Sequence, residues 1–203
     1  MDNFNLHYHS VNEFKRKIIH LFSFSIPLLY IFLPDSILIF ISIVLSLVLF
    51  IDLSRLYTNI NMNNFFDFYL LNTVRKYENK QLLSATYLII SFFFIILIFE
   101  REIAIYSMSF ASICDALAAL VGIKYGNISN HLNKTIEGSL AFLCSALCLI
   151  SIYSILLEIK IDIIYIILSV FIITIVEFLT PSKYDNIAVP VSSALILSAL
   201  SIL

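Results

Sequence analysis

Charged residues are scarce in this sequence: Asp, Glu, Lys and Arg make up 13% of 203 residues, against 61% hydrophobic. A water-soluble domain of that length needs far more polar surface to cover its core. Mean hydropathy is +0.99. Glycine is scarce as well, with 3 residues, while 14% of the chain is aromatic, which excludes a disordered or fibrous chain. The formal net charge of −2 says nothing about nucleic acid, but no basic face exists to bind it, so no nucleic-acid partner is expected. Cysteines are few, and Cys114, Cys144 and Cys148 all lie within apolar runs, which argues against a disulfide framework or a zinc site and for small buried hydrophobes. The first apolar run lacks a small-residue cleavage site, so it is expected to be a retained span rather than a signal peptide. The motifs G-x-x-x-x-G-K-[ST], G-x-G-x-x-G and H-E-x-x-H are absent. A site for phosphate must then be built from loops between membrane helices.

What is present is a series of apolar runs near the length of about 20 residues that a helix needs to cross a bilayer. They predict an all-α, polytopic integral membrane protein, residues 1–203 forming a single membrane domain with about seven transmembrane helices. The predicted spans are Ile18–Leu33, Ser36–Leu53, Leu82–Phe99, Ile103–Val121, Ser139–Leu157, Ile161–Leu179 and Ile187–Leu203. The first is short and interrupted by Pro27, and the last carries Pro190. Between the second and third, Arg55–Gln81 is polar but studded with Leu and aromatic residues, which predicts an amphipathic helix lying in the interface. With the N-terminus cytoplasmic, ten of the 12 Lys and Arg residues fall on the cytoplasmic side and only Arg101 and Lys160 on the other. That is a strong positive-inside bias and fixes the orientation.

The outer loops, Pro34–Asp35, Glu100–Glu102 and Glu158–Lys160, are too small to build a site. The polar residues that need explaining gather at the cytoplasmic ends. Asp115 lies inside the fourth span, where an ionisable group is costly and faces a cavity or a partner. It shares a helix face with Ala119, Gly122 and Gly126, at offsets that return to the same side. That face either lets a ligand approach the backbone or packs another helix. Lys134-Thr135-Ile136-Glu137-Gly138 precedes the fifth span. A lysine, a threonine and the N–H groups of a helix start suit phosphate, with Glu137 beside it for magnesium; the plainer reading is a capped helix with Thr135 as cap. Glu177 near the end of the sixth span, and Asp185-Asn186 before the seventh, read either as site groups or as a helix start after a turn. His20 follows Arg16 and Lys17 at the head of the first span. Asp52 and Arg55, three apart, read as a local ion pair.

The run Asp115-Ala-Leu-Ala-Ala-Leu-Val-Gly122-Ile-Lys-Tyr-Gly126, followed by Lys134-Thr-Ile-Glu137-Gly138-Ser-Leu-Ala141-Phe142, resembles the polyprenol and lipid kinase family of dolichol kinase, phytol kinase and the CTP-dependent diacylglycerol kinase. Arg16-Lys17-Ile-Ile-His20 and Asp185-Asn186-Ile-Ala-Val-Pro190 resemble its other two landmarks, in the right order. The resemblance implies transfer of the γ-phosphoryl group of CTP to the hydroxyl of a lipid alcohol, with magnesium as cofactor. It implies Asp115, Lys134 and Asp185 as catalytic groups and Asp115 and Glu137 as magnesium ligands. Gly122, Gly126, Lys134, Thr135, Gly138 and Asn186 would contact the nucleotide, with His20 and Glu177 as helpers. The role of Asp185, as metal ligand or as acceptor of the hydroxyl proton, stays open. The site would face the cytoplasm, at the plasma (inner) membrane if the cell is bacterial or archaeal.

Phosphatidate cytidylyltransferases share the middle block. Their later signature of a Lys-Asp pair, a Gly-Gly pair and Asp-Arg does not occur here, and no glycine follows Gly138. They are therefore the alternative. A transporter or scaffold is a further one, and it calls for polar residues reaching both sides of the membrane rather than one.

Overall fold

The computed structural model describes residues 14, 16–18, 20–57, 78, 80–132, 134–156 and 163–201. Residues 58–77 and 79 of the expected interfacial helix lie outside the described residues. The fold is all-helical: among the described residues there is no β-strand, only an isolated bridge between Ser129 and Thr135. After helical residues 16–18 and 20–22, the elements are α1 (Ser25–Phe32), α2 (Ile37–Tyr57), α3 (Ser84–Ile98), α4 (Arg101–Tyr125), α5 (Ile136–Leu156), α6 (Ile163–Leu179) and α7 (Asp185–Ser201).

Three stretches are long and apolar enough to cross a membrane: Pro34–Tyr57, Arg101–Tyr125 and Ile136–Leu156. At about 1.5 Å per residue, helices of this length reach roughly 30 Å or more, the thickness of a hydrocarbon core. The apolar helices Ser84–Ile98, Ile164–Leu179 and Asp185–Leu200 are shorter. α2 and α6 expose large aliphatic and aromatic side chains, including Ile39, Leu47, Phe50, Ile164 and Phe171. Faces this apolar suit lipid rather than water.

α4 is the axis of the bundle. It is buried over most of its length, whereas only a minor share of Pro34–Tyr57 and of Ile136–Leu156 is buried. α1, α3, α5 and α7 all pack against it; α2 packs on α3, and α6 joins α5 to α7. Phe92, Phe110, Phe142 and Tyr153 fill the centre. Residues Phe110–Cys114 of α4 form a π turn that ends immediately before Asp115.

Two expectations need correction. The first predicted span is not one helix, since the chain turns at Ser23–Phe24 before α1 begins. Pro27 explains the break: it has no N–H for the carbonyl four residues back, and it is tolerated only in the first turn of a helix. The cysteines also differ from expectation. Cys114 is buried in the π turn, but Cys144 and Cys148 are exposed on α5. The expected pair of Asp52 and Arg55 is present, and it does more than link neighbours. Asp52 Oδ1 accepts from Arg55 Nε and Nη2 at 2.9 and 2.7 Å, and Oδ2 accepts from the Leu83 N–H and the Thr86 hydroxyl at 2.7 and 2.6 Å. Arg55 also donates to the Glu78 and Gln81 carbonyls at 2.9 and 2.6 Å. The end of α2 and the start of α3 are thereby fastened together in a fully paired buried network. Such a network is stable only while complete, because losing one partner of a buried pair costs about 3–5 kcal/mol.

Candidate active site

At one end of the bundle the chain brings together the C-terminal part of α4, the turn before α5, the end of α6, the start of α7 and the helical residues before α1. Lys134 stands at the centre of this end. Its Nζ donates to Glu177 Oε1 at 2.5 Å and to Asp185 Oδ2 at 3.0 Å. Glu177 Oε2 accepts from the Ser139 hydroxyl at 2.9 Å, so both of its oxygens are engaged. Burial alone would lower the Lys134 ammonium's pKa, but the carboxylates of Asp185, Asp115 and Glu177 outweigh it and hold the group well above the ordinary lysine value. Lys134 is therefore a permanent cation.

The turn that carries Lys134 is held by Asn130. The Asn130 N–H donates to the Lys134 carbonyl at 2.8 Å, and Asn130 Oδ1 accepts the N–H groups of Leu132 and Lys134 at 2.9 and 3.0 Å. Asn130 Nδ2 donates to the Phe178 carbonyl at 2.7 Å, tying the turn to the end of α6 beside Glu177. Thr135 then caps α5, its Oγ1 accepting the Gly138 N–H at 3.1 Å.

The second ion pair joins Lys17, ahead of α1, to Asp115 of α4; both side chains are buried. Nearby, His20 Nε2 lies 2.9 Å from Asn186 Oδ1, and Asn186 Nδ2 donates to the Ser84 carbonyl at 2.6 Å. The Ser23 and Ser112 hydroxyls pair at 2.8 Å, so the turn before α1 meets the π turn of α4. Pro190, inside α7, cannot donate to the carbonyl of Asn186. The Ser91 hydroxyl of α3 lies 3.1 Å from that carbonyl and 2.9 Å from Tyr87 O, and shares its one proton between them.

The structure thus gathers six of the sequence-predicted residues: Asp115, Lys134, Asp185, Glu177, His20 and Asn186. It puts the others to different use. Glu137 turns to the loop, its Oε1 accepting the Asn127 N–H at 3.0 Å. The start of α5 is not a free anion site, because the Ile136, Gly138 and Ser139 N–H groups already donate to Ile128 O, Thr135 Oγ1 and Thr135 O. A Cβ at Gly122 would come 2.7 Å from Thr135 Oγ1, and one at Gly138 would come 2.7 Å from the Ala118 carbonyl. Gly122, Gly126 and Gly138 therefore serve the close approach of α4, the Thr135 turn and α5. In the sequence reading Lys17 is part of the Arg16-Lys17-Ile-Ile-His20 landmark, beside His20, but has no partner assigned; Asn130 and Ser139 are not assigned at all. Asn130 carries only the general signal of an Asn in a turn, and Ser139 carries none.

Two ammonium groups and three carboxylates face one another here. Asp115 Oδ1 and Asp185 Oδ1 are buried with no hydrogen-bond partner, as is His20 Nδ1. An unmet buried acceptor costs about 1–3 kcal/mol, and Glu137 Oε2 is unmet in the same way. Among the described residues, no group of three or more His, Cys, Asp and Glu side chains is arranged to hold a metal ion by itself.

Compared with known proteins, the chain is 33% identical over 191 residues to the uncharacterized protein RP860 of Rickettsia prowazekii (strain Madrid E), across 90% of this chain and 92% of that protein. The chain belongs to the RP860 family. No protein-family model matches it, and no solved structure does. The RP860 match covers nearly the full length of both proteins.

Proposed function

We propose that this chain is a polytopic membrane enzyme with about seven spans that transfers the γ-phosphoryl group of a nucleoside triphosphate to the hydroxyl of a lipid alcohol. The family resemblance points to CTP as donor and to a polyprenol, a phytol-like alcohol or diacylglycerol as acceptor. The observation that carries the reading is the doubly paired Lys134, between Glu177 and Asp185, in the same buried end as the Lys17–Asp115 pair. Phosphoryl transfer needs charge neutralisation and positioning more than covalent chemistry. Such a network can exchange partners without leaving a charge unpaired: the two lysines turn to phosphate oxygens and the carboxylates turn to the accompanying cation.

The residues fit magnesium. The unpartnered oxygens of Asp115 and Asp185 are the hard acceptors it prefers, and two carboxylates with phosphate oxygens make up a common magnesium site. When bound, magnesium neutralises charge on the β- and γ-phosphates. Glu137 Oε1 is engaged by the Asn127 N–H, and Asp185 is the second carboxylate of this proposed set. Lys134 and Lys17 bind phosphate, Asn130 and Ser139 hold Lys134 and Glu177 in position, and the exposed flanks of the bundle give a lipid its way in from the side.

The buried charged side chains, Lys17, Asp52, Arg55, Glu78, Asp115, Glu177 and Asp185, favour an enzyme with a one-sided site over a transporter. They sit at the helix ends expected to be cytoplasmic, while Asp35, Glu100, Arg101 and Glu102 at the opposite end stay outside the core. A cysteine at the exposed His131, in a background with Cys144 and Cys148 changed to serine, should react with an impermeant maleimide from the cytoplasmic side. Reaction from the outer side would overturn this orientation.

The products test the reaction itself. Purified protein given CTP, magnesium and a panel of geranylgeraniol, phytol and dioleoylglycerol in micelles should release CDP and form a lipid monophosphate. Pyrophosphate and a CDP-lipid, formed from phosphatidic acid, would replace the kinase with a cytidylyltransferase. The cations near the site argue for the neutral acceptor. A phosphorylated acceptor calls for further Arg or Lys, and no arginine follows Arg101 in the chain.

A further inference from the structure

The hydrogen bonds around Asn186 fix the state of His20. A backbone carbonyl can only accept, so Asn186 Nδ2 is the end that faces Ser84 O at 2.6 Å. The end that faces His20 is therefore the amide oxygen, also an acceptor, 2.9 Å from Nε2. Nε2 must carry a proton. In the neutral ring Nδ1 then holds a free lone pair, and Nδ1 is buried with no partner. His20 follows Lys17 by three residues in the helical segment before α1, which places it beside the Lys17–Asp115 pair. A histidine oriented through one nitrogen by an amide that is itself oriented by a carbonyl, with the other nitrogen bare, has the build of a proton acceptor.

We propose that His20 Nδ1 is the general base that takes the proton of the acceptor hydroxyl; this rests on the kinase reading. As the hydroxyl oxygen forms its bond to the γ-phosphorus, the bond from that phosphorus to the β–γ bridging oxygen breaks. Its electron pair leaves with the nucleoside diphosphate. The hydroxyl proton passes to Nδ1, and the resulting imidazolium keeps its Nε2–H on Asn186. Asp185 Oδ2 already accepts from the Lys134 ammonium at 3.0 Å, and its remaining oxygen, Oδ1, is the one given above to the cation. Its open role narrows to the cation.

His20→Gln separates base from scaffold, since the glutamine amide nitrogen can take the place of Nε2 and still donate to Asn186 while offering no basic nitrogen. With CTP and the alcohol panel above, kcat of H20Q should fall by about 10²-fold, the lower end for loss of a general base. KM for CTP should stay within a few-fold, and the thermal unfolding midpoint should stay at the wild-type value. His20→Ala should be equally slow and regain turnover on addition of imidazole. Wild-type turnover by H20Q, with H20A slow and not rescued, would make His20 a positioning residue and overturn the inference while leaving the kinase standing. Failure of the wild-type protein to form CDP with any alcohol would overturn the kinase reading and this inference together.

Discussion

Lys134→Arg and Asp115→Asn are each expected to lower phosphoryl transfer by about 10²–10³-fold, the usual effect of removing or misplacing one charge-stabilising group. The choice of substitution matters. Lys134→Ala would leave Glu177 and Asp185 buried without their shared cation, and breaking a buried pair costs about 3–5 kcal/mol, enough to unfold the protein. Arginine keeps the charge but carries it on a longer, planar fork that cannot put one nitrogen between two carboxylates as the ammonium does, at 2.5 and 3.0 Å. Asparagine in place of Asp115 keeps the shape of aspartate and loses its charge, which weakens both the bond to Lys17 and the hold on a cation. Turnover with CTP and a lipid alcohol gives the effect, and elution as a folded species in detergent shows that the variants assemble. If both fold and both keep near-wild-type turnover, the ion pairs are structural and the kinase reading loses its main support.

Gly138→Ala should be damaging although it adds a single methyl. Its Cβ would stand 2.7 Å from the Ala118 carbonyl and 2.9 Å from Thr135 Oγ1. The carbonyl belongs to the α4 backbone, so relief requires α4 and α5 to move apart. Overpacking of this kind costs about 1–3 kcal/mol. Small residues at such a contact supply much of the association between membrane helices, which depends on close packing rather than on hydrophobic transfer. Leu140→Ala, two positions along on an exposed face of α5, is the matched control and should change little. Thermal unfolding in detergent distinguishes them: an unchanged midpoint for Gly138→Ala would show that the two helices are not in the close contact described.

The apolar runs carry the helices well but miss their ends. The fifth predicted span, Ser139–Leu157, is observed as Ile136–Leu156, and the fourth, Ile103–Val121, as part of Arg101–Tyr125. Hydropathy ends where charge begins, while a helix continues until its backbone is capped, as Thr135 does for α5. The polar cluster was readable because ionisable residues within apolar helices are few and each needs a partner. Which partner each takes was not. Lys17 and Asp115 are separated by 98 positions, and only the packing of the turn before α1 on α4 brings them together. The glycines show the opposite case. Their spacing marked one helix face, but two different uses fit that face, and only the position of Thr135 decides for packing. The turn at Ser23–Phe24 was half visible in Pro27, whereas nothing in the residues Phe110–Cys114 announces a π turn.

That π turn bears on how α4 can vary among relatives. A π turn holds one residue more than the regular helix would place there. In genetic terms it is the point on α4 where a codon can be lost with least harm: the turn relaxes to regular helix, and the carboxylate of Asp115 still meets Lys17. A codon lost elsewhere before Asp115 would swing the carboxylate by about 100° around the axis, away from its lysine, while leaving the hydropathy of α4 almost unaltered.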